Sequence, residues 1–205
     1  MIKTINQNAT AEIIVKKSKF IANLFYIETE KEAKDILSKI NKKYNDARHN
    51  CYAYIINEIN ESDVIQIQKS SDNGEPSGTA GAPLLDLLKN HGLSNVLVVV
   101  TRYFGGILLG TGGLVKAYTE SASNALNKTV IANKEIGNVY DIEIEYSELK
   151  NIEHNAEIIG YKIKNIEYGE NVKIRVYATE DKFEELLKVS NSIINQTIKE
   201  KRIWI

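Results

Sequence analysis

Residues 101–118 read TRYFGGILLGTGGLVKAY and combine five of the chain's twelve glycines with a largely apolar sequence. Glycine loses more conformational entropy on folding than any other residue, so this density indicates positive φ angles or a close approach to the main chain. The run VLVVVT before it has the composition of a buried strand, and residues 114–126 place apolar side chains at helical spacing. The sequence therefore predicts a strand, a glycine turn and a helix in direct succession.

The glycine turn lacks the residues of two common phosphate-binding motifs. Gly105 and Gly110 have the spacing of a Walker A loop, but the lysine that binds the phosphates is missing after them. Gly110 and Gly112 begin a dinucleotide-binding fingerprint, but Val115 occupies the place of its third glycine. Free N–H groups at the start of a helix still suit an anion, so the residues allow an anion site without either motif.

Two cations flank this turn, Arg102 at the end of the strand and Lys116 one turn into the helix. Either could add positive charge to an anion site. In the alternative interpretation, Arg102 forms an ion pair inside the protein. The glycines then let the loop pack tightly around a neighbouring segment, which we expect to be EPSGTAG at 75–81.

A second polar loop, SDNGEPSGTAG at 71–81, precedes another short helix. Its acids Asp72 and Glu75 could pair with Arg102, hold a metal ion, or act as acid and base. Ser77 and Thr79 are most simply caps of the helix that follows. No histidine or lysine adjoins them in sequence to activate a hydroxyl as a nucleophile.

The two loops together resemble the motifs of the IMPACT family, also called UPF0029. The matching segments are DNGEPSGTAGAP at 72–83 and VVVTRYFGGILLGTGGLVKAY at 98–118, and ARHNCYAY at 47–54 matches a shorter upstream motif that contains His49. The resemblance implies an α+β protein of two domains, 1–130 and 137–205. The first is expected to be an α/β sandwich similar to the second domain of ribosomal protein S5, and the second to be ferredoxin-like.

The resemblance also implies a function in translation, through binding of RNA, the ribosome or a ribosome-associated factor. Eukaryotic relatives regulate translation by competing for a protein partner of a stress kinase, but they carry a different accessory domain, so that role is not transferred. The binding residues that the resemblance implies come from the three motifs: His49, Asp72, Glu75, Ser77, Gly78, Thr79, Arg102, Tyr103, Gly105, Gly106, Gly110, Thr111, Gly112, Gly113 and Lys116.

This chain departs from the family pattern at four positions, and the residues at 108 and 116 leave a thinner basic surface than in many relatives. Relatives often have aspartate, glycine, lysine and arginine at four positions that here hold Asn73, Ser77, Leu108 and Lys116. His49, beside a strand, is either a hydrogen-bonded structural residue or a functional one. Four tyrosines are either base-stacking residues or part of the core and rim: Tyr52, Tyr54, Tyr103 and Tyr118.

The rest of the chain divides into elements that suit two domains. A hairpin around KKSK (16–19) and a helix capped by Thr29 and reaching Lys43 are expected first. Beyond a boundary in 129–137, the pattern is β-α-β-β-α-β, typical of a ferredoxin-like domain. Its predicted helices are SELKNIEHNAEIIG (147–160), capped by Ser147, and EDKFEELLKVSNSII (180–194).

Composition excludes several classes of protein. The net charge of −1 argues against a protein that coats nucleic acid through bulk positive charge, and no DNA specificity is expected. The single cysteine, Cys51, rules out an internal disulfide, and no Cys/His cluster has zinc spacing. No signal peptide and no apolar run of membrane length is present, so we expect a cytoplasmic protein without membrane contact, metal or cofactor.

Three functions compete at this point. The first is a non-catalytic binding protein acting in translation through the loops 72–83 and 101–116. The second is an enzyme acting on a phosphorylated small molecule or nucleotide, with Asp72 or Glu75 as metal ligand or base. The third is a module that binds another protein, because an apolar, glycine-rich surface serves a protein partner as well as RNA.

Overall fold

The structure, a computed structural model, describes residues 1–190 and 192–205. Contacts divide the chain into two compact units, an N-terminal unit of residues 2–133 and a C-terminal unit of residues 134–205. The elements of the first are β1 (Ile2–Ile5), β2 (Ala9–Val15), β3 (Ser18–Tyr26), α1 (Glu30–Lys43), β4 (His49–Ile59), β5 (Val64–Ser71), α2 (Gly81–Asn90), β6 (Val96–Tyr103), α3 (Thr111–Leu126) and β7 (Ile131–Lys134).

The core of the N-terminal unit is an antiparallel sheet in the order β2-β3-β6-β4-β5. Because side chains alternate between the two faces of a strand, β6 contributes side chains to two apolar layers, one on each face of the sheet. Val98 and Val100 pack with α2 and α3 on one face, and Leu97 and Val99 pack with α1 on the other. The sheet is therefore covered on both faces, and the predicted strand, glycine turn and helix of residues 96–126 run through its centre.

The first hairpin and the first helix confirm the local sequence signals. Lys16 and Lys17 form the two-residue turn between β2 and β3 with φ of 44° and 65°, the positive values that match strand twist in a tight hairpin. Thr29 accepts a hydrogen bond from the backbone N–H of Glu32, whose side chain accepts one from the Thr29 backbone. This capping box begins α1, which ends at the predicted Lys43. The pairing of β1 with β7 was not expected from the sequence.

The C-terminal unit has the predicted β-α-β-β-α-β order. Its elements are β8 (Ile136–Ile144), a 3₁₀ turn (Tyr146–Glu148), α4 (Leu149–Asn155), a π-helical turn (Ala156–Gly160), β9 (Lys162–Tyr168), β10 (Val172–Ala178), α5 (Glu180–Val189) and β11 (Ile193–Trp204). The antiparallel sheet has the order β11-β8-β10-β9, which is 4-1-3-2 within the unit. This arrangement confirms the α+β class and the ferredoxin-like fold.

Several details of the C-terminal unit differ from the sequence prediction. Ser147 lies inside the 3₁₀ turn and caps no helix; its hydroxyl lies 3.3 Å from a carboxylate oxygen of Glu145. Helix α5 ends at Val189, earlier than predicted, and position 191 lies outside the described residues. Strand β11 pairs with β8 through three register shifts. The likeness of the N-terminal unit to a domain of ribosomal protein S5 stays a prediction.

No helix among residues 1–190 and 192–205 combines the length and the apolar character needed to cross a membrane.

Candidate functional site

A buried ion pair joins the two loops that the sequence analysis singled out. Nη1 of Arg102, near the end of β6, lies 2.6 Å from Oε1 of Glu75 in the second loop. The side chains are only 7% and 3% exposed, so both charges are removed from water. Asp72 takes no part in this pair. The pairing that the sequence left open is therefore made by Glu75 alone, and it points Arg102 inward.

The same carboxylate oxygen collects further polar groups from the sheet and from α3. The hydroxyl of Tyr118 donates to Oε1 of Glu75 at 2.9 Å, and Nε2 of His49 lies 3.9 Å from it. The Sγ of Cys51 lies 3.3 Å from the Tyr118 hydroxyl, and burial raises the pKa of the Cys51 thiol to about 12. Burial likewise raises the pKa of the Tyr118 hydroxyl, so both groups stay neutral and the network is a structural one at neutral pH.

His49 is held by the backbone of the second loop. Its Nδ1 lies 2.8 Å from the carbonyl oxygen of Asn73, and because a carbonyl can only accept, Nδ1 carries the proton. Gly74, at φ +82°, lies against the same ring, and a Cβ there would come within 3.3 Å of Nδ1. The histidine is thus a hydrogen-bonded part of the loop support, with Nε2 turned towards Glu75.

Asp72 organises the second loop and the start of α2. Its Oδ2 accepts from the N–H of Gly78 at 2.9 Å, and its Oδ1 accepts from the N–H groups of Ala80 and Gly81 at 2.9 and 2.8 Å. The prediction that Ser77 and Thr79 cap this helix is wrong. Ser77 is exposed, and the helix has no side-chain cap at its N-cap residue. Asp72 satisfies the free helical N–H groups from eight residues upstream.

The Asp72 carboxylate gives a pH-dependent prediction. Burial raises its pKa, but the three backbone hydrogen bonds together outweigh burial and hold the pKa below its usual value. A depressed folded pKa stabilises the protein above the unfolded pKa of about 4, and this stability is lost as pH falls through the folded value. We expect Asp72→Asn to lower the free energy of unfolding by about 2 kcal/mol at neutral pH.

The measurement for Asp72→Asn is urea unfolding of both proteins at neutral pH and at several values below about pH 4. The difference in the free energy of unfolding between the wild type and the variant should decrease as pH falls and the wild-type carboxylate becomes protonated. Ser77→Ala is the matched control in the same loop, because the Ser77 side chain is exposed and caps nothing. A difference in the free energy of unfolding that stays constant with pH would contradict the stabilising role assigned to the charged Asp72 carboxylate.

Gly105 packs against the β2–β3 turn and not against the second loop. A Cβ at this position would lie 2.0 Å from the carbonyl carbon of Lys17 and 2.4 Å from the backbone nitrogen of Ser18. The N–H of Gly105 also donates to Oγ of Ser18 at 3.1 Å. The expected tight packing around residues 75–81 is therefore wrong for this glycine. Its close approach is to a turn 87 residues earlier in the chain.

The other glycines of the turn shape the start of α3. Gly110 is the N-cap residue, with φ of 75° and no side-chain hydrogen bond to the helix. A Cβ at Gly106, Gly110 or Gly112 would meet nothing within 4 Å. The N–H groups of the first helical turn, Thr111, Gly112 and Gly113, thus begin the helix without a side-chain cap.

An open cleft of about 540 Å³ lies between the two loops, above the ion pair. It is lined by Arg48, His49, Gly74, Glu75, Pro76, Arg102, Phe104, Leu108, Leu109, Gly110, Thr111 and Leu114. Its rim is apolar and accessible, since Phe104 is 40% exposed and Leu108 81% exposed. The Phe104 ring lies near two guanidinium groups, with its centroid 5.8 Å from that of Arg48 and 5.5 Å from that of Arg102.

Some of the predicted binding residues lie away from the cleft lining. Lys116 is exposed on α3, and Tyr103 points to the other face of β6, where its hydroxyl donates to Asp46 at 2.8 Å. Thr79 is buried, and its hydroxyl donates to the carbonyl oxygen of Pro76 at 2.6 Å. Of the predicted set, the structure brings together five residues in the cleft lining: His49, Glu75, Arg102, Gly110 and Thr111. Asp72 lies outside the lining and holds the second loop through the backbone N–H groups of Gly78, Ala80 and Gly81.

Three residues that matter here were not among the predicted binding residues. Arg48 contributes the exposed cation of the cleft, Phe104 its aromatic wall, and Tyr118 the buried hydroxyl under Glu75. Arg48 and Phe104 each adjoin a predicted site residue in sequence, and this position next to the motifs could have indicated that they belong to the site. Tyr118 was predicted as either a base-stacking or a core residue, and the structure buries it fully in the core. Within residues 1–190 and 192–205, no group of three or more His, Cys, Asp or Glu side chains could hold a metal ion.

Comparison with known proteins places both units in described families. A family model described as the Impact N-terminal domain matches residues 16–126, and a model described as a domain of unknown function (DUF1949) matches residues 142–188. The chain is 41% identical to the IMPACT family member YvyE of Bacillus subtilis over 177 residues, which cover 86% of this chain and 79% of that protein. It is 38% identical to the IMPACT family member YigZ of Escherichia coli over 162 residues, covering 79% and 78%.

A more distant relative and a solved structure extend the comparison. The human Protein IMPACT is 42% identical over 97 residues, which cover 46% of this chain but only 29% of that protein. A solved structure titled "Crystal structure of an hypothetical protein" is 35% identical, with a TM-score of 0.63 over 90% of this chain and 88% of the other. The similarity therefore runs through both units in the bacterial relatives.

Proposed function

The chain belongs to the IMPACT family, and from this premise we propose that it is a non-catalytic binding protein that acts in translation or its regulation. It contacts RNA, the ribosome or a ribosome-associated factor in the cytoplasm, through the cleft between the loops 72–83 and 101–116. The observation that carries the proposal is the cleft itself, with an exposed apolar rim next to the uncapped start of α3.

The chemistry of the cleft supports binding better than catalysis. Both carboxylate oxygens of Asp72 accept hydrogen bonds from backbone N–H groups, three in all, and Glu75 is paired with Arg102 and Tyr118. Neither acid is placed as a free base or metal ligand. The alternative, an enzyme acting on a phosphorylated small molecule, would have to recruit groups that the fold already uses for its own support.

An apolar rim beside a rigid polar floor is a common form of interface. Leu108 and Phe104 present accessible apolar surface, and the ion pair beneath them fixes the loops that carry it. Interfaces place aromatic and apolar anchors against a supporting surface that does not have to reorganise on binding. Arg48 adds one exposed cation to the cleft, which suits an acidic partner surface or a phosphate.

The test is co-sedimentation of the purified chain with ribosomes at low and physiological salt. We expect Leu108→Ser to weaken binding by roughly tenfold, or about 1.4 kcal/mol, because an exposed apolar anchor is placed to be one of the few interface residues whose truncation costs more than about 1 kcal/mol. Ile65→Ser is the matched control, since Ile65 is an exposed isoleucine, 53% accessible, on β5 and outside the cleft. Ribosome binding that both variants retain equally would contradict use of the cleft.

Arg102→Ala is not a suitable probe of this binding. Removing a buried arginine leaves Glu75 as an uncompensated buried charge, so loss of binding would follow from loss of folding. The Leu108 variant avoids this problem because its side chain is 81% exposed.

A further inference from the structure

We infer that the cleft binds the C-terminal carboxylate of a protein or peptide whose last side chain is apolar. This inference rests on the proposed function, because it names the partner chemistry of the same cleft. The carboxylate would lie at the start of α3, and the apolar side chain would lie among Phe104, Leu109 and Leu114. Four observations carry it: unused donors, a buried arginine with a free N–H, an adjoining apolar wall, and the charge of the lining.

The start of α3 offers donors without acceptors. In the described part of the chain, no side chain caps the helix, and no acceptor pairs with the N–H groups of Thr111, Gly112 and Gly113. The helix is sixteen residues long, so its dipole adds positive potential at these groups. Because Gly112 has no Cβ and nothing lies within 4 Å of where one would be, a ligand can approach the main chain directly.

Arg102 provides the second, independent indication of an acceptor-rich ligand. Its side chain is 7% exposed, lines the same cleft as Gly110 and Thr111, and has more donors than the protein supplies acceptors for. Nη1 is paired with Glu75 and Nη2 has a long contact of 3.5 Å to Ser18, but the buried Nε has no hydrogen-bond partner among the described residues. The guanidinium therefore has more donors than Glu75 and Ser18 use, and it adds positive charge beside the start of α3, which suits an anionic ligand.

The apolar wall lies immediately beside these donors. Leu109 precedes the N-cap residue, Leu114 follows in the first turns of α3, and both line the cleft with Phe104. A C-terminal residue carries its carboxylate and its side chain on the same Cα atom. A site with donors and an apolar wall in direct contact therefore fits an apolar C-terminal residue, in the manner of backbone sites that capture terminal carboxylates.

The charges of the residues that line the cleft suit a ligand with a single negative charge. Glu75 is the one acid among the lining residues, and it is neutralised by Arg102. Arg48 is the one exposed cation there. RNA binding draws much of its affinity from contacts between several phosphates and several cations. This cleft has an exposed apolar residue, Leu108, at its rim, where an RNA-binding surface would place a cation. The observations favour a peptide terminus over RNA as the occupant.

The test is an NMR titration of the full ¹⁵N-labelled chain that follows the amide signals of Gly112 and Gly113. The probe is N-acetyl-L-leucine at millimolar concentrations, the affinity range expected for a ligand of this size. The matched ligands are N-acetyl-L-leucine amide, which lacks the charge, and acetate, which lacks the side chain. We expect saturable shifts with N-acetyl-L-leucine and at least tenfold weaker binding of the other two. Equal binding of the acid and the amide would overturn the inference.

A pair of variants separates charge from shape at the same position. Gly112→Glu places a carboxylate at the helix start and should reduce binding of N-acetyl-L-leucine at least tenfold more than Gly112→Gln, which adds the same bulk without the charge. Equal loss in both variants would overturn the inference. So would amide shifts at Gly112 and Gly113 produced by oligouridylate RNA but not by N-acetyl-L-leucine, since that outcome assigns the site to RNA.

The two proposals fail in distinguishable ways. If Leu108→Ser reduces ribosome binding but N-acetyl-L-leucine shifts no amide signal, the carboxylate site is overturned and the role in translation is supported. If N-acetyl-L-leucine binds and a Gly112→Glu substitution abolishes it in a chain that does not sediment with ribosomes, the carboxylate site is supported and the role in translation is overturned.

Discussion

Replacing Glu75 with alanine is expected to lower the free energy of unfolding of the N-terminal unit by about 3–5 kcal/mol. The substitution leaves the Arg102 guanidinium buried, with a side chain that is 7% exposed, and removes the carboxylate that pairs with it. It also takes away the acceptor of the Tyr118 hydroxyl, which lies 2.9 Å from Oε1. Because a whole domain is stable by only about 5–15 kcal/mol, this single change is a large part of the total.

The single cysteine supplies the measurement for this prediction. Cys51 is fully buried in the N-terminal unit, and burial raises its thiol pKa to about 12, so it is labelled only when that unit opens. Thiol labelling through a urea series therefore reports the stability of this unit. Glu12→Ala is the control, because its partner Lys19 lies 3.5 Å away on an exposed part of the hairpin. Such a surface pair contributes about 0–1 kcal/mol.

A double-variant cycle tests whether the cost comes from the unpaired charge. Glu75→Ala with Arg102→Met removes both charges and keeps most of the arginine's apolar volume. We expect the double variant to be more stable than the sum of the two single losses predicts, because neither charge is then left alone. Strict additivity would contradict the explanation and point to packing around Glu75 instead.

The second large effect is expected from Gly105→Ala, which should destabilise the N-terminal unit by about 3 kcal/mol or more, the upper end of overpacking costs. The added Cβ would lie 2.0 Å from the carbonyl carbon and 2.1 Å from the carbonyl oxygen of Lys17. These are backbone atoms, so no side-chain rotation relieves the overlap. The strand turn between β2 and β3 would have to move away from β6, with the hydrogen bond from the Gly105 N–H to Ser18.

Gly112→Ala is the matched control for Gly105→Ala within the same loop. Its Cβ would meet nothing within 4 Å, and helical backbone favours alanine over glycine. We therefore expect Gly112→Ala to leave stability unchanged or to raise it by up to about 1 kcal/mol. The Cys51 labelling assay measures both variants. Equal stability of the Gly105 variant and the wild type would show that the β2–β3 turn yields without cost.

The local elements of the fold could be predicted because their signals lie close together in sequence. Thr29 and Glu32 stand three residues apart and make a capping box, and the alternation in residues 137–205 encodes the ferredoxin-like order. The pairing of β1 with β7 was missed because its partners lie at opposite ends of the N-terminal unit. Nothing within either short segment indicates the other.

The site divides in the same way between local and distant signals. The sequence indicated the glycine turn, the anion-suited helix start and two candidate partners for Arg102, Asp72 and Glu75. It did not indicate which of the two acids forms the pair. Asp72 and Glu75 are three residues apart, and only the path of the loop turns Asp72 towards the N–H groups of α2. The neighbour of Gly105 could not be read at all, since Lys17 is brought there by the β3–β6 pairing.

Strand β11 has a consequence for solubility. It lies at the edge of the C-terminal sheet, and edge strands are templates on which other chains can add and aggregate. It exposes Ile194 and Ile198, which would favour such addition. Three register shifts interrupt the pairing of β11 with β8, and Arg202, at φ 52°, departs from the extended conformation of a strand. Residues 199–202 of β11 are all charged. An irregular, charged edge does not offer the flat run of backbone groups that a second strand needs, so the sheet is protected from growing into an aggregate.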